Sequence, residues 1–322
     1  MIKSKKVVTT IRVAVCLFLV YLIATRFDVG KIMQAVKLVD ASVFLYILGA
    51  YTLANLFVFL RWYLIMRYMD MKVSLPVAVK CYMMGVFFNF FMPTAVGGDV
   101  FKAYYVSKNS ENSRIEKSLF SVFFDRYLGL LVMLGAGGFF SLFLDIRISG
   151  FPLSWILFTV LAGLFLLSVF VTLFADKMDR LIEKIGFLKR NFSDTFKKIS
   201  NTLNIVKRNK KIFLGVVACT LGALVMISMM HYIFISKIGK INVFFPMLVF
   251  VPVAILVTMI PISINGIGLR EIVYVTLFGT IDVNPAVSIA MSILFYGVMV
   301  VFSLPGAVYS FGAILGKKEM KK

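Results

Sequence analysis

Five long apolar runs constrain this chain more than any other feature. Residues 41–66, 118–144, 152–175, 212–236 and 286–315 each match or exceed the roughly 18–20 residues a helix needs to cross a bilayer. Inside lipid, every backbone N–H and C=O must be satisfied by the chain itself, so spanning segments are helices or closed barrels. The short alternating segments of a barrel do not occur, and the chain reads as an all-α polytopic membrane protein. Composition agrees, with 61% hydrophobic residues and a mean hydropathy of +0.95 over 322 residues.

The net charge of +20 would suggest nucleic acid in a soluble protein. Here the bases stand in loops beside apolar runs. That points to membrane topology and anionic lipid headgroups, with no nucleic-acid partner. Cys16, Cys81 and Cys219 all lie inside apolar segments, and His231 is the only histidine. No metal or redox site is expected, and no cofactor. His231 reads as a polar residue at the membrane interface, near a helix end.

Met1 to Arg12 is basic and precedes an apolar stretch, 13–25, without a small-x-small cleavage site, so an uncleaved first helix is expected. Residues 29–39 form a short amphipathic segment. Arg61, near the end of the second span, reads as a side chain that snorkels to the interface. Residues 176–211 carry eleven Lys and Arg against four acids, with apolar residues at 182, 185, 188, 192, 196, 199, 203 and 206. Steps of three and four predict an amphipathic arm lying on the membrane, too short for a soluble catalytic domain.

Two apolar limbs, 76–92 and 244–260, are shorter than the spans, and each ends in a Pro/Gly motif. Aligning Pro93 on Pro261 places Gly98 on Gly266 and Lys102 on Arg270. Each half then runs span, amphipathic segment, span, short limb, motif, span, a duplication of pattern. If the limbs crossed the membrane, the eleven-base arm would lie outside, against the positive-inside tendency. Turning both limbs back places both termini, the 108–117 loop and the arm in the cytoplasm. The expected architecture is six transmembrane helices plus two re-entrant helical hairpins in an inverted repeat. Residues 1–151 hold the hairpin 76–107, and residues 152–322 hold the arm and the hairpin 244–280. The expected location is the inner (cytoplasmic) membrane.

Inverted repeats with broken helices mark transporters, whose half-helix N-termini point at an anionic group near the midplane. Proline ends each incoming limb, and glycine permits a tight tip. The following half-helix starts with free N–H groups and a positive dipole end. Candidate headgroup-binding residues are Gly97, Gly98, Asp99 and Lys102 at the first tip, and Asn265, Gly266, Gly268, Arg270 and Glu271 at the second. Asn89 and Asn265 suit broken backbone better than ligand. Asp125 and Arg126 lie about two turns into the third span, where a charge normally has a partner or faces water. They form either a structural ion pair tying that span to a hairpin, or a site in which Arg126 binds phosphate and Asp125 orients it or carries a proton.

Taken together, Pro93-x-x-x-Gly-Gly-Asp99, Asp125-Arg126-x-x-Gly129 and Pro261…Gly266-x-Gly-x-Arg270-Glu271 resemble the lysylphosphatidylglycerol synthase transmembrane region family, the flippase-like integral membrane proteins. Full-length synthases of that family join such a unit to a soluble aminoacyl-transferase domain. The resemblance implies the flippase half without the synthase half, and some stand-alone members are linked to polyprenyl-phosphate glycolipids. The second motif carries Asp125 where Glu is more usual, which keeps the charge and shortens the reach. The expected function is a lipid flippase moving an anionic phospholipid or a polyprenyl-phosphate-linked lipid. Asp99, Asp125 and Glu271 are candidates for proton coupling or for gating by ion pairing, and no nucleotide-binding motif supports direct ATP drive. The alternatives are an integral-membrane transferase with Asp99 or Glu271 as base, and a non-transporting partner of envelope-biosynthesis enzymes. Homo-oligomerisation stays open.

Overall fold

A computed structural model of the chain describes residues 14, 17–19, 21–91, 97–110, 115–148, 150–164, 166, 210–260 and 262–319. The apices Pro93 and Pro261, the arm from 176 to 209 and the last three residues, all invoked above, lie outside the described residues.

Eleven helices are described: α1 (Leu17–Arg26), α2 (Val29–Lys37), α3 (Ala41–Tyr68), α4 (Leu75–Phe91), α5 (Gly97–Lys108), α6 (Ile115–Ser141), α7 (Leu153–Leu164), α8 (Lys210–Phe234), α9 (Met247–Met259), α10 (Leu269–Gly279) and α11 (Pro285–Glu319). A π-turn at Ile235–Gly239 extends α8. The only strand pairing among the described residues is the two-residue ribbon Arg147–Ile148 with Phe151–Pro152.

Four of the described helices are long and apolar enough to cross a membrane: Ala41–Tyr68, Ile115–Ser141, Lys211–Gly239 and Pro285–Ser310. The first and fourth expected spans are described only as the shorter apolar helices α1 and α7. The third span stops at Ser141, three residues short of expectation, where the chain turns toward the ribbon. The four hairpin limbs have 17, 12, 13 and 11 residues. At 1.5 Å per residue they run from about 16 to 26 Å, short of a ~30 Å hydrocarbon core.

Local signals set the boundaries. Asp28 accepts the Lys31 N–H and caps α2. Asp40 caps α3, accepting the Val43 N–H at 2.7 Å and the Ser42 hydroxyl at 2.8 Å.

Packing repeats between the halves. Helices α3 and α8 form the most extensive contact. The first limb of each hairpin then lies against the last helix of the other half: α4 on α11, and α9 on α6. Glycine allows both approaches. A Cβ on Gly306 would stand 2.1 Å from the Met83 carbonyl oxygen, and one on Gly137 would stand 3.1 Å from Pro252 Cγ. The main apolar core mixes the halves, joining Ile47, Leu134, Phe234, Phe250, Phe278 and Val298.

Candidate functional site

Backbone geometry at the two tips places the charged side chains. At the first, the Gly98 N–H donates to Asn89 Oδ1 at 3.0 Å, which caps the start of α5. The same Asn89 amide donates to Asp99 Oδ1 at 3.3 Å. A Cβ on Gly98 would lie 2.1 Å from the Gly85 carbonyl oxygen, so only glycine lets the two limbs close. At the second tip, Asn265, Gly266 and Gly268 have φ of 52°, 76° and 82°. Gly and Asn are the residues that tolerate such turns. The Gly268 N–H donates to Glu271 Oε2 at 2.7 Å, and the Ser292 hydroxyl donates to Oε1 at 2.8 Å. The Asn265 amide donates to the Phe90 carbonyl and joins one tip to the other.

Two ion pairs cross the interior. Arg61 of α3 grips Asp125 of α6 with Nε–Oδ1 at 2.7 Å and Nη2–Oδ2 at 3.1 Å. Both side chains are buried, and Arg61 Nη1 also donates to Thr220 Oγ1 at 3.3 Å. Gly129, one turn beyond Asp125, leaves the space the guanidinium fills. The second pair joins Arg126 of α6 to Asp99 of α5; Asp99 is buried, whereas the Arg126 side chain is 33% exposed.

Two further bases are buried without a salt bridge among the described residues. Lys102 Nζ lies 3.9 Å from the Trp62 ring centroid and 5.3 Å from that of Tyr82. The Arg270 guanidinium lies 4.5 Å from the Phe295 centroid and 4.3 Å from that of Tyr296, and Nη2 donates to the Asn265 carbonyl at 3.1 Å. Ring faces attract a cation and leave its charge uncancelled. No salt bridge reaches either base among the described residues.

All four bases line one cavity of about 370 Å³, together with Asp99, Asp125, Asn89 and Asn265. Its wall draws on α3, both hairpins, α6, α8 and α11. Of the residues singled out from the sequence, Asp99, Lys102, Asp125, Arg126, Asn265 and Arg270 meet there. Gly97, Gly98, Gly266 and Gly268 shape the tips without lining it. Glu271 is turned away, capping its own helix and holding α11 through Ser292.

Two readings need correction. Arg61 does not snorkel; only 5% of it is exposed, and it pairs with Asp125. Of the two alternatives for Asp125 and Arg126, the structural one holds for Arg126: it pairs with Asp99 and ties the third span to the first hairpin, while Asp125, about 100° round the helix, pairs with Arg61 of α3. A usable signal for Arg61 was its depth, seven residues inside the helix end, opposite a span that carries an acid and a glycine one turn apart. His231 is not interfacial either. It is buried, with Nδ1 2.7 Å from the Ile227 carbonyl oxygen and Nε2 2.7 Å from the Tyr274 hydroxyl.

The family model described as the lysylphosphatidylglycerol synthase TM region matches residues 9–306. Two similar proteins are archaeal. The UPF0104 membrane protein PH1989 of Pyrococcus horikoshii is 24% identical over 261 residues, covering 73% of this chain and 76% of the relative. The UPF0104 membrane protein MJ1595 of Methanocaldococcus jannaschii is 26% identical over 287 residues, covering 81% of each. No solved structure matches the chain.

Proposed function

The chain belongs to the lysylphosphatidylglycerol synthase transmembrane region family, and from that premise we propose that it is a lipid flippase. It moves an anionic phospholipid or polyprenyl-phosphate-linked lipid between leaflets of the cytoplasmic membrane. One observation carries the reading: bases from both hairpins line a single cavity, and two of them, Lys102 and Arg270, have no carboxylate partner among the described residues. The crossed packing of each hairpin's first limb on the other half supports six spans, two re-entrant hairpins and an inverted repeat. With that topology both termini are cytoplasmic.

The lipid phosphate enters against Arg126, the most exposed of the four bases, and competes with Asp99 for it. Lys102 and Arg270 take the remaining oxygens. Release of Asp99 loosens Asn89 and, through it, the Gly98 amide of the first tip. The Asn265–Phe90 bond holds the tips together, so opening the cavity toward the second leaflet breaks it. The hairpins rock in turn about the fixed Arg61–Asp125 pair.

Reconstituted vesicles test this directly. A fluorescent anionic phospholipid, bleached from the outer leaflet by dithionite, should exchange only when the protein is present. Arg126→Ala and Arg270→Ala should lose the exchange while eluting as folded protein. Unchanged exchange in both variants rejects the assignment. Headgroup turnover without exchange indicates a membrane transferase instead.

A further inference from the structure

Resting on that transport reading, we infer that the group this cavity accepts is a doubly charged phosphate end, a monoester or a diphosphate, and not a phosphodiester. The argument is one of charge. Four cationic side chains line the cavity, Arg61, Lys102, Arg126 and Arg270, against two carboxylates, Asp99 and Asp125. Two positive charges are therefore left over. Two further contributions cancel. The helices beginning at Gly97 and Leu269 each present about half a positive charge at the N-terminus. Against them stands Glu271, which caps the second of these.

The surplus sits on Lys102 and Arg270, which are 5% and 6% exposed. Each is held over two aromatic rings, which make the cation tolerable in an apolar setting without neutralising it. Uncompensated charge at membrane depth is costly, so the best ligand brings the total to zero. A phosphate monoester carries about −1.5 to −2 near neutral pH. A phosphodiester carries one negative charge and leaves a buried base unmatched. The two bases come from different hairpins, Lys102 as the sixth residue of α5 and Arg270 as the second of α10, so a dianion is the ligand both hairpins can hold together.

Lipids with identical tails separate the charge from the tail. Dioleoyl phosphatidic acid, a monoester, and dioleoyl phosphatidylglycerol, a diester, are titrated together onto the purified full-length protein, and retained lipid is counted by native mass spectrometry. The expected result is retention of phosphatidic acid by about tenfold or more over phosphatidylglycerol. Lys102→Gln and Arg270→Gln should bring the ratio to within about twofold of one, and Lys102→Arg and Arg270→Lys should keep it, since a tenfold preference needs the second charge. The wild-type ratio alone decides if a variant fails to fold. A ratio near one, or one favouring phosphatidylglycerol, overturns the inference while protein-dependent exchange in vesicles leaves the flippase reading standing. Displacement of phosphatidic acid by an equal concentration of inorganic phosphate keeps the dianion and overturns a lipid as its source. Retention of neither lipid overturns the inference, and absence of exchange for both overturns the flippase reading.

Discussion

Replacing Gly129 with alanine sets two known effects against each other. Gly129 lies in the interior of α6, and there alanine is favoured over glycine by about 1 kcal/mol from helix propensity. Propensity alone therefore predicts a more stable protein. The fold predicts the reverse. A Cβ at this position would stand 2.2 Å from Arg61 Nη1, 2.6 Å from Cζ and 2.7 Å from Nη2. Ordinary contact lies near ~3.5 Å, so the guanidinium must retreat by about 1 Å. It is held at 2.7 and 3.1 Å by Asp125 and at 3.3 Å by Thr220, and such a shift carries these bonds beyond hydrogen-bond range. Breaking a buried ion pair costs about 3–5 kcal/mol. The expected net effect is a loss of roughly 2–4 kcal/mol, read by reversible SDS unfolding in mixed micelles. In an Arg61→Met/Asp125→Leu background the same Gly129→Ala change should be neutral or stabilising by up to about 1 kcal/mol, because the clash is gone and only propensity remains. A Gly129→Ala protein as stable as the parent would refute the reasoning that this glycine exists to seat the guanidinium.

Gly98→Ala and Gly306→Ala each drive a Cβ to 2.1 Å from a backbone carbonyl oxygen, so both should destabilise strongly, whereas Gly49→Ala, with nothing within 4 Å, should be neutral or slightly stabilising; thermal unfolding of the three side by side checks the order. Asn265→Ala removes the bond between the tips and leaves a non-glycine residue at φ of 52°, so a loss of about 1–3 kcal/mol is expected, and Asn265→Gly should recover the backbone share but not the bond. Glu271→Gln keeps an acceptor for the Gly268 N–H or the Ser292 hydroxyl, so lipid exchange should persist at a substantial fraction of the parent rate. Abolished exchange with intact folding would instead mark Glu271 as a proton carrier.

Much of the site was legible in the residues. Lys102 and Arg270 were located by a spacing shared between two motifs, because a broken helix needs proline and glycine at set positions whatever surrounds it. Asp125 was conspicuous because charge inside an apolar run is costly. Its partner was not legible. Arg61 is 64 residues away, and its depth in α3 hints that it turns inward without naming the acid it meets. The same limit applied to His231 and Glu271. Glutamate three positions after a turn glycine is as compatible with capping as with gating, and only the hydroxyl of Ser292, 21 residues on, decides.

The apolar runs by themselves determined a helical membrane protein, because lipid offers backbone no other partner. The paired Pro/Gly motifs determined where the chain breaks. Which charges cancel was decided only by the tertiary arrangement. Ion pairing depends on distances between helices remote in sequence, and it joined Arg61 to Asp125 and Arg126 to Asp99. Lys102 and Arg270 were left against aromatic rings in a shared cavity, with no salt bridge among the described residues.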